Sequence, residues 1–433
     1  MSNEIYSEVK KRFDKVTLFD EINITLRVKR CDPIEMARSN RNPYAYTDSG
    51  DNSDENRDIT YMVLGLDFNA KDCTDDNVKE VVHEAVGKIN HEINVGIMQH
   101  HFWNVFYVYK ELFQLLVDQT GYVRSKSQDG KVLFNYFRGQ TVGYDMVPGI
   151  FRNNINSEYV TNFDKIYREL CNDYPSRLKY VGYSIDDRRE RVQQLSLLQH
   201  YGLRTSLIDI TRNPFIALEF MTDLNSCEDW DKQIERGESC GRFEMYAIDE
   251  EIHSDHNIFL DVIKSENNKR LIAQKGAFFC YDYLTDLNFS EIKKIPRIII
   301  DWKFDKEAGI DCANQQIEKI KQDSEDFVKD STRETDGETT EPRTLMEYLK
   351  SMNNSVQESL KKANAEKIKA LDEYKDSLEK PSEDVFEQMF MDVQRKLSEY
   401  FYFRRNLFPD LDKYIEYLKN KYEDDGRTYR LDP

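Results

Sequence analysis

A chain of 433 residues in which 39% are hydrophobic and 12% aromatic is long enough for more than one domain and can bury a sizeable core. Its formal net charge of -19 excludes the broad basic face by which nonspecific nucleic-acid binders displace counterions. Generic DNA binding is therefore not expected, although a local basic pocket stays open. Seven scattered cysteines, with no pair at metal-ligand spacing, suit reduced thiols in a cytoplasmic protein. The opening Met1-Ser2-Asn3-Glu4-Ile5-Tyr6 lacks the basic-then-apolar order of a secretory leader.

In chain order, residues 4–15 read as a short helix and 16–28 and 61–67 as strands. A polar loop over 38–58, with Pro43 and Gly50, separates the two strands. Residues 1–97 are expected to form a small α/β region of unassigned role. Residues 101–117 predict an aromatic-rich helix packed on one side; Asn104, Lys110, Glu111 and Gln114 would be costly in hydrocarbon, so no membrane span is expected. A turn near Gly130 and a strand over 132–137 put Arg138 at a strand end. Val192, Leu195 and Leu198 recur at helical spacing over 187–200, with Gly202 as a C-terminal stop. An extended piece over 204–210 follows. Asn213-Pro214 then opens a helix, with asparagine able to cap it and proline favoured at its first position. Strands over 243–248, 276–281 and 295–301 complete a central sheet.

The charged stretch 305–395 predicts a helical insertion with an acidic linker over 322–343. Leu345, Leu349, Met352, Val356 and Leu360 form a narrow apolar stripe. Such a stripe suits an antiparallel hairpin packed on the protein's own body, or a protein partner along the helices at 345–380. Helices over 385–403 and 411–422 close the chain around Leu407-Phe408-Pro409-Asp410. The expected fold is α+β: a core over 98–304 with a central mixed or antiparallel sheet flanked by helices, completed by C-terminal helices over 396–433.

Three segments concentrate polar groups beyond what packing needs. Phe137-Arg138-Gly139-Gln140 sets a planar guanidinium beside a glycine, which suits an anionic group close to the backbone, or an arginine paired with an internal acid. Between 199 and 211, His200 can move a proton or orient a ligand, or simply satisfy carbonyls at a helix end. Arg204 adds positive charge, Thr205 and Ser206 offer hydroxyls, and Asp209 is either a working carboxylate or a cap for the Asn213 helix. Gln274 and Gly276 suit a pocket lip just before a strand, where a plain turn would need the glycine alone. His83, His91, His100, His101, His253 and His256 lack ligand spacing, so no metal is expected.

The same segments resemble the FRG domain, a family named for the tripeptide standing here as Phe137-Arg138-Gly139. Also similar are Pro148-Gly149-Ile150-Phe151-Arg152, Leu198-Gln199-His200-Tyr201-Gly202-Leu203 with Thr205, Leu207 and Asp209, and Asn213-Pro214 with Ala217. Ala273-Gln274-Lys275-Gly276 and Leu407-Phe408-Pro409-Asp410-Leu411 extend the likeness, in order, over roughly 100–425. Arg204 stands where the family often has proline, and 305–395 looks inserted.

The resemblance implies a core distantly similar to ADP-ribosyltransferases, with NAD as substrate. It would make Arg138, His200, Ser206, Asp209 and Gln274 the catalytic group. Phe137, Gly139, Gln140, Arg152, Tyr201, Arg204, Thr205 and Gly276 would bind the nucleotide. Breaking the N-glycosidic bond of NAD passes through an oxocarbenium-like state that a carboxylate stabilises. Gln274 carries no such charge, and Glu266 is about 26 Å away if the chain between is extended. Asp209 is the better carboxylate. The implied activity is ADP-ribosyl transfer or NAD hydrolysis in a bacterial toxin or antiviral (phage-defence) effector. The alternatives are a non-catalytic sensor of a nucleotide or nucleic-acid end, and an interaction scaffold centred on 305–395.

Overall fold

Along β1 (Phe19–Arg30), Ile22, Ile24, Leu26 and Val28 are buried at every second position, the two-residue period by which a strand shows one apolar face. In the computed structural model this strand pairs antiparallel with β2 (Tyr61–Asn69). On its other side it pairs parallel with β8 (Ile295–Phe304), from Phe19 opposite Ile295 to Val28 opposite Phe304. β3 (Tyr136–Val142), β4 (Leu207–Thr211), β5 (Cys240–Tyr246), β6 (Phe259–Leu260) and β7 (Gly276–Cys280) complete an open, mixed sheet of eight strands in the order β2-β1-β8-β5-β3-β4-β7-β6. The fold is α+β, and β1 and β2 lie in the same sheet as the strands that follow them. The residues described are 5–13, 17–39, 61–117, 132–152, 154–223, 240–249, 252–253, 258–261, 268–284, 293–333, 343–378, 383–409 and 415.

Helices cover both faces. α1 (Ile5–Phe13) precedes β1, and α2 (Pro33–Ser39), capped by the Asp32 carboxylate, follows it. α3 (Asp76–Met98), α4 (Val105–Leu116), α7 (Pro214–Met221) and α11 (Glu383–Glu399) bury one face around Phe137, Phe243, Ile300 and Trp302. α5 (Ser157–Asp173) and α6 (Arg188–His200) bury the other around Tyr136, Ile208, Tyr246 and Phe279. The short α8 (Lys269–Ala273) leads into β7, and α12 (Arg404–Leu407) follows α11. No described helix is long and apolar enough to cross a membrane.

α9 (Lys306–Arg333) and α10 (Arg343–Ser377) pair antiparallel: Ser324 bonds Asn364, and Asn314 bonds Lys375. Ala313 and Ile317 pack there on Leu371, Tyr374 and Leu378. α9 continues through the first part of the stretch expected as a linker, and residues 334–342 lie outside those described. Of the apolar stripe, Val356 is exposed and Leu360 half-buried, while the side chains of Leu345, Leu349 and Met352 lie outside the described set. The expected turn near Gly130, the loop from 40 onward and the helix over 411–422 except Ile415 also fall outside it.

The sequence placed Arg138 at a strand end, but the ladder starts at Tyr136 and runs on to Val142, so Arg138 stands inside the strand. A glycine in mid-strand normally weakens it. Here α7 lies directly on the backbone of β3, and a Cβ on Gly139 would sit 1.8 Å from the Ala217 carbonyl oxygen. The glycine of the tripeptide thus serves helix-on-sheet contact rather than close approach of a ligand. Gly139→Ala is expected to lose about 3 kcal/mol or more of stability, read by urea unfolding; an unchanged midpoint would contradict the packing described.

Candidate functional site

β3 and β4 pair at Phe137–Thr211. From there β3 follows β5 and β4 follows β7, so the sheet parts. A cleft of about 540 Å³ opens at the parting, lined by residues of β3, β4, the 147–152 and 199–205 segments, and α8. Arg138, Gln140, Arg152, Arg204, Thr205, Asp209, Gln274 and Gly276 all line it. Phe137 and Gly139 border it as well, but the Phe137 ring is fully buried against Phe113 and Phe243.

Three residues assigned from the sequence sit elsewhere. Ser206 is fully buried and donates its hydroxyl to Asp282, whose other oxygen accepts from the buried Arg191 at 2.8 Å. His200 ends α6 half-buried, in edge contact with the largely exposed Tyr201 ring, and neither residue lines the cleft. Alternation along an extended chain explains the first case: Thr205 shares a side with Asp209, and Ser206 points the opposite way. Glu266 lies outside the described residues.

Arg138 stands opposite Glu244 of β5, with its Nη1 3.5 Å from Glu244 Oε2. That buried Nη1 meets no acceptor at hydrogen-bond distance among the described residues. Glu244 is completely buried, accepts from Arg297 Nη2 and from the Tyr246 hydroxyl at 2.6 Å, and Arg297 reaches on to Glu21 of β1 at 2.6 Å. Burial opposes ionisation of Glu244, yet Arg297 and Arg138 outweigh it and hold its carboxyl below the usual range.

The cleft gathers four guanidinium groups, from Arg138, Arg152, Arg204 and Arg270. Burial and the like charges of Arg138 and Arg204 lower the Arg152 pKa, the mark of cations held together. Two acids line the same space. Asp223 is ion-paired with Arg404 at 2.5 Å. Asp209 is accessible to solvent from the cleft, yet the enclosing walls push its carboxyl above the usual range against the pull of Arg270, Arg138 and a hydrogen bond from Gln199. Asp209 is not the cap of α7; Asn213 caps that helix with its own side chain.

The C-terminal segment backs one wall from behind, touching Gln274 and Arg270 without lining the cleft. Gln274 donates its amide to the Leu407 carbonyl at 3.1 Å, and the Phe408 ring lies under the guanidinium groups of Arg270 and Arg404, at 4.7 and 5.2 Å. Arg270 received no role from the sequence. It stands four residues before Gln274 on the same helical turn, and that spacing is the signal that finds it.

A separate group, Asp32, Glu35 and Cys312, brings its ligand atoms within 4.8 Å of one another. The ammonium of Lys29, 2.5 Å from Glu35, already supplies positive charge there, and Asp32 is engaged as the α2 cap.

Fold and site together define an α+β protein with an arginine-lined cleft where its sheet parts. Residues 134–229 match the family model of the FRG domain, so the chain carries an FRG domain over β3, α5, α6, β4 and α7. Arg270, Gln274 and Phe408 lie beyond that stretch. No curated protein and no solved structure matches the chain.

The two carboxylates predict opposite stability effects. Glu244, with its pKa lowered by folding, stabilises above the ordinary carboxylate range, and this is lost as pH falls through its folded value. Glu244→Gln removes the buried carboxylate that faces Arg138 and leaves Arg297 only its pair with Glu21, and is expected to cost about 3–5 kcal/mol at pH 7. Asp209, with its pKa raised, favours folding below its unfolded value, and that contribution is lost as pH rises through its folded one. Asp209→Asn should therefore be as stable as the parent at pH 7, or more so. Urea unfolding of both variants checks the pair, and equal losses would contradict this account.

Proposed function

We propose that the cleft binds NAD and cleaves its nicotinamide-ribose bond, as an enzyme similar to the ADP-ribosyltransferases. The observation that carries this reading is the crowding of Arg138, Arg152 and Arg204 around one cleft in a chain of net charge -19. Cations held against their own repulsion favour a dense anion such as a pyrophosphate. Asp209, the lining acid that has no arginine at ion-pair distance among the described residues, is the group able to stabilise a developing oxocarbenium charge. Arg138 and Arg152 hold phosphate oxygens in this reading, and Arg204 and Arg270 flank them. A toxin or antiviral role and an ADP-ribosyl acceptor belong to the same proposal.

A second reading, nucleotide binding without turnover, is favoured by Gln274. It is neutral, and its amide nitrogen already gives a hydrogen bond to the Leu407 carbonyl.

Incubation with NAD and candidate macromolecules, followed by mass spectrometry for free nicotinamide and ADP-ribosyl adducts, separates the two. Turnover is expected, with kcat/KM lowered about 10- to 100-fold in Arg138→Ala, the worth of a charge-assisted hydrogen bond. It should also decline with acid at a higher pH than an ordinary aspartate would give, because the raised Asp209 must be ionised to act. Saturable NAD binding with no nicotinamide release would support the second reading, and no NAD binding at all would end both.

A further inference from the structure

The Asp209 carboxylate is held by its own backbone N–H and by the Gln199 side chain, and the side-chain hydrogen bonds that lead to it run in one direction. The backbone N–H of Leu207 donates to Thr205 Oγ1 at 3.2 Å, so the single hydroxyl proton of Thr205 is left to donate elsewhere. It goes to Gln199 Oε1. With its oxygen engaged there, Gln199 presents Nε2 to Asp209 Oδ2 at 2.5 Å. Turning the amide over would set two oxygens against each other at Asp209, so the network admits one orientation. Thr205 is almost fully buried and Gln199 half-buried, and neither end of the chain is free to wander.

We propose that Gln199 is a positioning residue for Asp209, with its amide oriented by Thr205 so that it holds the carboxylate facing the cleft. The inference rests on the reading above in taking Asp209 as the working carboxylate. It also gives Thr205 a task different from direct contact with a nucleotide, because its proton is committed within the protein. The groups facing Asp209 are Gln199 from α6, Arg138 from β3 and Arg270 from α8. Both arginines favour the ionised form, and so does the donated amide hydrogen. Removing the donor while keeping both arginines therefore moves the titration of Asp209 upward.

The test follows Asp209 itself in the full chain, by carboxyl carbon NMR of protein labelled at aspartate, with its resonance assigned by loss in Asp209→Asn. Gln199→Leu should raise the titration midpoint by about one pH unit, the order expected for a lost hydrogen bond to an ionised group. Gln199→Glu keeps the shape and a polar side chain, which guards against misfolding, and should raise the midpoint further because two carboxyl groups then compete. Thr205→Val should shift it in the same direction by less, and Thr205→Ser should restore it. An unmoved midpoint in Gln199→Leu and Gln199→Glu, or a loss in Thr205→Val that serine does not restore, would overturn the inference. The nucleotide reading fails separately: if NAD is not bound while the midpoints move as stated, the positioning role stands and the ligand is wrong.

Discussion

A completely buried carboxylate, Glu244, held between two arginines is the interaction on which the rest of the site depends. A lone carboxylate in that position would be forced to protonate, and lone guanidinium groups beside it would be equally costly. Placed together across adjacent strands, they hold one another charged. Arg297 reaches back to Glu21 on the first strand, while Arg138, at the parting of β3 and β4, keeps a buried donor 3.5 Å from Glu244 that makes no hydrogen bond among the described residues. The charge arrangement runs from the first strand of the chain through the middle of the sheet to the cleft.

This explains why the site needs parts far apart in sequence. The matched FRG stretch supplies Arg138, Arg152, Arg204 and Asp209, but Glu244 and Arg297 come from strands beyond it, and Glu21 from before it. The opposite wall depends on Phe408, which lies beneath Arg270 and Arg404. An acidic protein can thus carry a concentrated positive cleft: the acid that faces Arg138 is buried behind it, and the lining acid Asp223 is tied to Arg404. Asp209 is the exception, accessible from the cleft with its ionisation made harder by the walls around it. Groups that cost stability in this way recur at working sites.

Much of the fold could be read from local signals. The alternation of Ile22, Ile24, Leu26 and Val28 marks β1, and Asn213-Pro214 marks the start of α7. Partner choice could not be read: the parallel pairing of β1 with β8 joins residues more than 270 apart, and nothing local encodes it. The extent of β3 is not legible because the apolar run ends at Phe137 and Gly139 reads as room for a ligand beside the backbone, while the ladder to β5 and the weight of α7 keep 138–142 extended. At the site, the three polar segments were legible as a group, and the cleft brings them together. The choice between Thr205 and Ser206 was also within reach, since alternation from Asp209 puts Thr205 on its side. The pairing of Arg138 with an internal acid was open in the sequence, but which acid depended on a register between β3 and β5 that no local pattern fixes.

The central claim is that these arginines hold a phosphate-bearing nucleotide where the sheet parts. Diffraction from crystals grown with NAD tests it most directly. The account requires density at the parting of β3 and β4, with phosphate oxygens against the guanidinium groups of Arg138 and Arg152 and the nicotinamide ribose beside Asp209. An empty cleft at saturating NAD, or nucleotide bound on another surface, would contradict it.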